Sequence, residues 1–151
     1  MGIMFGFDER ISPEQLRVWR AFERAYGRVS EQLEADLVEL HRLPLAWYEV
    51  LARLSEAEGH KLRMSQLADM VMLSPSGLSR LVDRMIKEGL IRRIPVEKDA
   101  RGFYAILAEP GRKRLEEATG THHRGVLDYM ISRFNDEELA QFTAFLERLH
   151  D

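Results

Sequence analysis

Cysteine is absent from this 151-residue chain. Its absence excludes disulfides, thiolate metal sites and redox sensing through a cysteine. The chain also lacks a long apolar run, and the first ten residues, MGIMFGFDER, have no basic start before an apolar stretch. We therefore expect no signal peptide, no transmembrane span, no membrane partner and a cytoplasmic location.

Signatures of catalysis and of cofactor binding are missing too. The sequence has no glycine-rich phosphate loop, no nucleophile elbow and no carboxylate pair in a recognisable setting. His122 and His123 are adjacent, so on a helix their side chains diverge by about 100° and do not converge on one ion. His41, His60 and His150 are isolated in sequence. We expect neither an enzyme, nor a cofactor, nor a metal site.

The composition is that of a folded protein, and the length suits one domain, residues 1–151. The net charge of −3 is distributed unevenly. Residues 74–101 carry seven basic and four acidic side chains, a net charge of +3, so the remainder carries −6. A basic segment within an acidic chain indicates one positively charged surface.

The central pattern is a pair of helices between Ser65 and Gly89. Ser65 is an N-cap candidate for the first, and the second should run from about Pro75 to Glu88, with Ser74 as its cap and Gly89 ending it in the left-handed conformation. Its apolar positions recur at helical spacing, which leaves the following side chains outside: Ser76, Ser79, Arg80, Asp83, Arg84 and Lys87. The pattern predicts a helix-turn-helix, and the alternative is an ordinary helical hairpin.

A β-hairpin is predicted directly after this pair. Residues 91–96 and 103–108 are rich in β-branched and aromatic side chains, and the sequence EKDARG between them reads as the hairpin tip, with Gly102 giving turn flexibility. Pro95 should lie near a strand end, where no ladder N–H is needed. With a small strand at 61–64, this is the layout of a winged helix.

Long amphipathic helices flank this unit. Ser12 and Gln15 form a capping box before a helix from Pro13 to about His41, which would be about 44 Å long. A second helix follows from about Leu45 to near Gly59, and helices after Pro110 and after the capping box 135–138 fill the last third. The first helix is too long for a small core to cover, so we expect the terminal helices to form a dimer interface. The alternative is packing of the first helix on the last within one chain.

The sequence resembles the MarR family of bacterial transcription regulators over almost its whole length. The residues that carry the likeness are LPLAWYEVLARL at 43–54, MSQLADMVMLSPSGLSRLVDRMIKEGLIRR at 64–93, and Asp99-Ala100-Arg101, which matches the family's Asp-x-Arg wing signature. The resemblance implies a mainly α fold with a small β-wing, built as a winged helix-turn-helix at 45–108 and dimerisation helices at 12–42 and 110–151. The sequence departs from the family pattern after the wing, where Ala108 and Glu109 stand in place of the usual threonine and proline.

The resemblance also implies a function, that of a homodimeric repressor on a pseudo-palindromic operator in double-stranded DNA. Arg101 would enter the minor groove, held by Asp99. The other residues implied to face DNA are Ser74, Ser76, Gly77, Ser79, Arg80, Arg84 and Lys98. A small aromatic or anionic ligand would release the repressor, and we expect Trp19, His41, Trp47 and Tyr48 to line its cavity, with Arg17 or Arg20 near the anion. Two alternatives remain, a winged helix that only mediates protein interaction and a DNA-binding protein without an effector.

Overall fold

The computed structural model describes residues 10–150, which form six α-helices and one three-stranded sheet. Within this range no helix is both long and apolar enough to span a bilayer. The elements, in chain order, are α1 (Pro13–His41), α2 (Leu45–Glu56), β1 (Lys61–Arg63), α3 (Met64–Val71), α4 (Pro75–Lys87), β2 (Ile91–Val96), β3 (Asp99–Leu107), α5 (Glu109–Tyr129) and α6 (Asp136–Glu147). The mainly α fold with a β-wing is confirmed.

Helix α1 begins and ends where its sequence predicts. The Ser12 hydroxyl accepts a hydrogen bond from the Gln15 N–H at 3.1 Å, and the Gln15 side chain accepts from the Ser12 N–H at 2.8 Å. Only the C-terminal half is covered by its own chain, where Leu33 and Leu37 are buried. The apolar side chains of the N-terminal half are exposed.

The core lies under the helix-turn-helix, where α2, α3, α4 and the sheet meet. Tyr48, Leu51 and Leu54 of α2 are buried in it, as the sequence predicts. From α4 it receives Leu78, Val82 and Met85. Burying apolar side chains from all these elements fixes the outward face of α4, since each one removed from water contributes about 1.5–3 kcal/mol.

The three strands pair in the order β1-β3-β2, all antiparallel. The predicted small strand is present, with Leu62 opposite Ala105. The hairpin tip is smaller than predicted, because the turn is only residues 97–98 and β3 already begins at Asp99. Pro95 pairs with Phe103 whereas Val96 pairs with Asp99, so residues 100–102 form a bulge. Pro95 lies next to the end of β2, as expected.

Two other boundaries differ from the sequence prediction. Ser65 does not cap α3, because that helix starts at Met64 and the cap position is Arg63, whose N–H donates to the Gln66 side chain at 3.0 Å. Helix α2 ends at Glu56 rather than near Gly59, and a 3-10 turn at 58–60 follows with Gly59 at a φ of 66°. The left-handed conformation at Gly89, with a φ of 76°, is confirmed.

The start of α5 shows how the helix forms without the usual cap. Ala108 occupies the cap position with no side-chain hydrogen bond, and Pro110 lies in the first turn, where its missing N–H is not needed. The Ala108 N–H instead donates to the Leu90 carbonyl at 3.1 Å, which fastens the helix start to the residue before β2. A backbone contact therefore replaces the cap.

Candidate nucleic-acid interface

The N-terminus of α4 is an exposed, hydroxyl-bearing helix end. The Ser74 hydroxyl accepts from the Gly77 N–H at 3.1 Å, which confirms the predicted cap, and lies 3.4 Å from the Ser76 hydroxyl. Ser74, Ser76 and Ser79 are exposed, and Gly77 is half-buried. Free amides and hydroxyls at a helix N-terminus suit the binding of phosphate oxygens.

The outward face of α4 carries the cations predicted for it. Arg80, Arg84 and Lys87 are exposed, while the opposite face is buried in the core. The Arg80 Nε lies along the helix, donating to the Ser76 carbonyl at 3.4 Å. Long basic side chains on a helix face of this kind can reach base edges or phosphates in a major groove.

A contact that the sequence did not predict joins this helix to the wing. The Arg93 guanidinium of β2 lies 2.6 Å from the Asp83 carboxylate of α4 and 4.0 Å from the centre of the Phe103 ring on β3. Both charged side chains are about half exposed, so the pair alone contributes little to stability. The pair does fix how the wing lies against the helix, since the guanidinium of this β2 residue contacts both α4 and β3.

The wing tip is shaped by Asp99. Its carboxylate accepts from the Arg101 backbone N–H at 3.0 Å. A Cβ on Gly102 would lie 2.7 Å from the same carboxylate, so a larger residue would displace the Asp99 side chain. Lys98 and Arg101 are exposed. The resemblance implies that Asp99 holds Arg101, and here it does so through the backbone.

Two of the four residues expected to line a ligand cavity, Trp19 and His41, are far apart within one chain. Trp19 and His41 lie 22 positions apart on α1, about 33 Å along a helix. The His41 Nε2 is 2.7 Å from the Thr121 hydroxyl, Tyr48 is buried in the core, and Trp47 packs against it. The separation of Trp19 and His41 follows from their positions in the sequence once both lie on one 29-residue helix.

A different, mainly apolar cavity of about 380 Å³ lies between α1, the start of α2, the end of α5 and α6. None of the four candidate residues lines it. Its walls include Tyr26, Leu33, Tyr129 and Phe142, and among its charged groups is Glu49, whose pKa is raised by burial. The only sequence signal for it is the apolar stripe shared by α1 and the last two helices.

The side chain of His122 links α5 to α2. Its ring stacks on Tyr48 at 4.3 Å between centres, and its buried Nδ1 has no hydrogen-bond partner. Burial, and to a lesser extent the neighbouring His123, lowers the pKa of His122. Among residues 10–150 no three metal-binding side chains are grouped, so His122 is placed as a packing residue.

The lowered pKa of His122 predicts a loss of stability in acid. The folded state binds this proton less readily than the unfolded state, so the free energy of unfolding should fall as the pH drops through and below about 6.5. Urea titrations at pH 7.5 and 5.5 measure this difference. His122→Phe, which keeps a ring against Tyr48, should reduce it, whereas His150→Gln at the exposed C-terminus should not. An unchanged pH dependence in His122→Phe would contradict the prediction.

A serine-capped helix with an outward basic face, fixed beside a basic hairpin, defines a winged helix-turn-helix protein that binds DNA. The model of the MarR family matches residues 41–102 of this chain. AbsC, a MarR family transcriptional regulator from Streptomyces coelicolor, is 32% identical and superposes with a TM-score of 0.84 over 94% of this chain and 95% of that chain. This chain belongs to the MarR family and is a DNA-binding transcriptional regulator.

Two other relatives are similar over much of the chain. Sco3205, a MarR family regulator from Streptomyces coelicolor solved in complex with DNA, is 27% identical, with a TM-score of 0.86 over 94% of this chain and 89% of that one. The transcriptional regulator PecS of Dickeya dadantii is 26% identical over 110 residues, which are 72% of this chain and 66% of PecS.

Proposed function

We propose that the chain is a homodimeric repressor that reads a pseudo-palindromic operator with two copies of α4 and two wings. This proposal rests on one arrangement: the cations of α4 and Arg101 of the wing are all exposed. The Asp83–Arg93 ion pair joins α4 to the wing. The wing and the helix are thereby presented together, as simultaneous contact with adjacent grooves requires. Sco3205, which has the same fold, was solved with DNA. Such a protein would act in the cytoplasm, where the chromosome lies.

The residues we assign to the interface fall into three roles. Ser74, Ser76, Gly77 and Ser79 would bind phosphates at the start of α4, and Lys98 would do so from the wing. Arg80 and Arg84 would lie in the major groove. Arg101 would enter the minor groove from a tip shaped by Asp99, because a narrow minor groove attracts arginine.

Dimerisation through the terminal helices is supported by apolar side chains that the chain itself leaves uncovered. Val18 on α1 is 71% exposed, and at the C-terminus Phe145 and Leu149 are 56% and 71% exposed. Exposed large apolar side chains concentrated on the first and last helices favour an interaction site there. We therefore divide the chain into dimerisation helices at 12–42 and 110–151 and a DNA-binding lobe at 45–108.

The proposed repressor is released from DNA by a small molecule. The 380 Å³ cavity has the size of a ligand site, and it lies between α1 and the first helix of the DNA-binding lobe. A ligand that binds one arrangement of these helices better would shift the spacing of the two copies of α4. A rise in melting temperature with an aromatic acid, together with weaker operator binding, would identify such an effector.

The deciding experiment is selection of bound sequences from a random DNA pool, followed by affinity measurements at several salt concentrations. We expect a selected site with two half-sites about one helical turn apart, bound by a dimer with a steep salt dependence. A monomer in sedimentation, or affinity that is independent of salt, would contradict the proposal. The second result would favour a winged helix that only binds protein.

Substituting Arg84 with alanine tests the role given to α4. A lost base contact should cost about 1–3 kcal/mol of operator affinity and relax sequence preference at one position of each half-site. A lost phosphate contact should instead weaken binding to all DNA sequences alike and reduce the slope of log affinity against log salt concentration by about one per site. Fluorescence anisotropy with the selected site and a scrambled site distinguishes these results. No change on either DNA would remove Arg84 from the interface.

A further inference from the structure

A tyrosine of α1 contacts the turn of the helix-turn-helix. The Tyr26 hydroxyl donates to the Met72 sulfur at 3.8 Å, although the two residues are 46 positions apart. Met72 follows the last residue of α3 and adopts the left-handed conformation, with a φ of 53°. Two residues later Ser74 caps α4. The contact therefore joins α1 directly to the segment that sets where α4 begins.

Within residues 10–150, Met72 is also the methionine most exposed to an oxidant in solution. Its side chain is 77% exposed, compared with 46% for Met70 two residues before it, while Met85 is fully buried. The chain has no cysteine, so the thioethers are the sulfur atoms that an oxidant can reach. Of the neighbouring thioethers of Met70 and Met72, the more accessible one, Met72, is the one that contacts α1.

We propose that Met72 is an oxidation site, and that its conversion to the sulfoxide by a peroxide weakens operator binding. This rests on the DNA-binding function proposed above. In the reaction the thioether sulfur attacks one oxygen of hydrogen peroxide. The S–O bond forms as the O–O bond breaks, and the proton of the attacked oxygen passes to the departing hydroxide, which leaves as water. The sulfur is oxidised by two electrons, which reduce the peroxide.

Oxidation changes both partners of the contact. The thioether is an apolar group and a weak acceptor, whereas the sulfoxide is polar and its oxygen lies one bond length beyond the sulfur. The Tyr26 hydroxyl then bonds to that oxygen, which pushes Met72 away from α1. Because the left-handed backbone at Met72 leaves the turn little freedom, the displacement is passed to Ser74 and the start of α4.

The test compares the operator affinity of each variant before and after treatment with hydrogen peroxide, with sulfoxide located by peptide mass spectrometry. For the unmodified sequence we expect Met72 to oxidise faster than Met70 and the affinity to fall about fivefold or more, the usual lower range for coupled sites. Methionine sulfoxide reductases A and B together should restore it. Met72→Gln, which places a polar oxygen at this position, should bind weakly without oxidant.

Three variants isolate the contact. Met72→Leu should lose the response, whereas the matched control Met70→Leu on the same segment should keep it. Tyr26→Phe should still be oxidised at Met72 but respond less, because the sulfoxide has no hydroxyl to bind. An equal response in Met72→Leu, or full oxidation of Met72 with unchanged affinity, would overturn the inference. Absence of salt-dependent binding before any oxidation would instead contradict the proposed function.

Discussion

Alanine in place of Arg101 should weaken operator binding by about 1–3 kcal/mol, roughly fivefold to 150-fold, with no loss of stability. The side chain is exposed at the wing tip and makes no contact that the fold needs, while Asp99 shapes the tip through the backbone N–H of this residue, which alanine keeps. The loss would come from a guanidinium removed from the electronegative minor groove. Anisotropy at fixed salt measures the affinity, and urea unfolding measures the stability.

The matched control for this substitution is Arg53→Ala. Arg53 is another exposed arginine, on α2 and outside the assigned DNA and dimer interfaces, so its removal changes the net charge equally without altering the wing. The affinity of Arg53→Ala should stay close to that of the unmodified protein. Equal losses in the two variants would show that Arg101 acts only through net charge, and unchanged affinity in Arg101→Ala would remove the wing from the interface.

Elements whose signals are local in the sequence were predicted closely. The capping boxes at Ser12 and at Asn135 mark the starts of α1 and α6, and both are present as hydrogen-bonded pairs. Ser74 and Gly89 likewise mark the ends of α4, which finishes at Lys87, one residue short of the prediction. Ser12, Ser74 and Asn135 each bond through the side chain to backbone three residues on, and Gly89 acts through its own backbone conformation, so no knowledge of the fold is needed.

Features that depend on the packing of distant elements were not predicted. The early start of β3 follows from the bulge around Asp99, which a pattern of β-branched residues does not show. The Asp83–Arg93 contact depends on how β2 lies against α4, and the sequence alone placed Asp83 with the outward polar face. The chemistry of a side chain does not show how far apart two residues lie, and Trp19 and His41 are separated by about 33 Å along α1.

Gly111 is a further residue whose role only the fold reveals, and Gly111→Ala should destabilise the protein by about 2–4 kcal/mol. A Cβ there would lie 2.1 Å from the Leu90 carbonyl oxygen, which is backbone and already accepts the Ala108 N–H. To admit the methyl group, the start of α5 must move away from the residue that leads into β2. The wing and α5 would separate, so operator affinity should fall with stability. Urea unfolding and anisotropy on one preparation measure both.

The same helix offers a control substitution whose expected effect on stability is opposite. Gly120 also lies within α5, but nothing is within 4 Å of the position that its Cβ would occupy. Because alanine favours the helix and restricts the unfolded chain, Gly120→Ala should stabilise by about 0.5–1 kcal/mol. Opposite signs for two glycine-to-alanine changes in one helix would attribute the Gly111 effect to contact with Leu90. If both variants were stabilised, α5 would not approach Leu90 this closely, and other contacts would have to fasten the wing to α5.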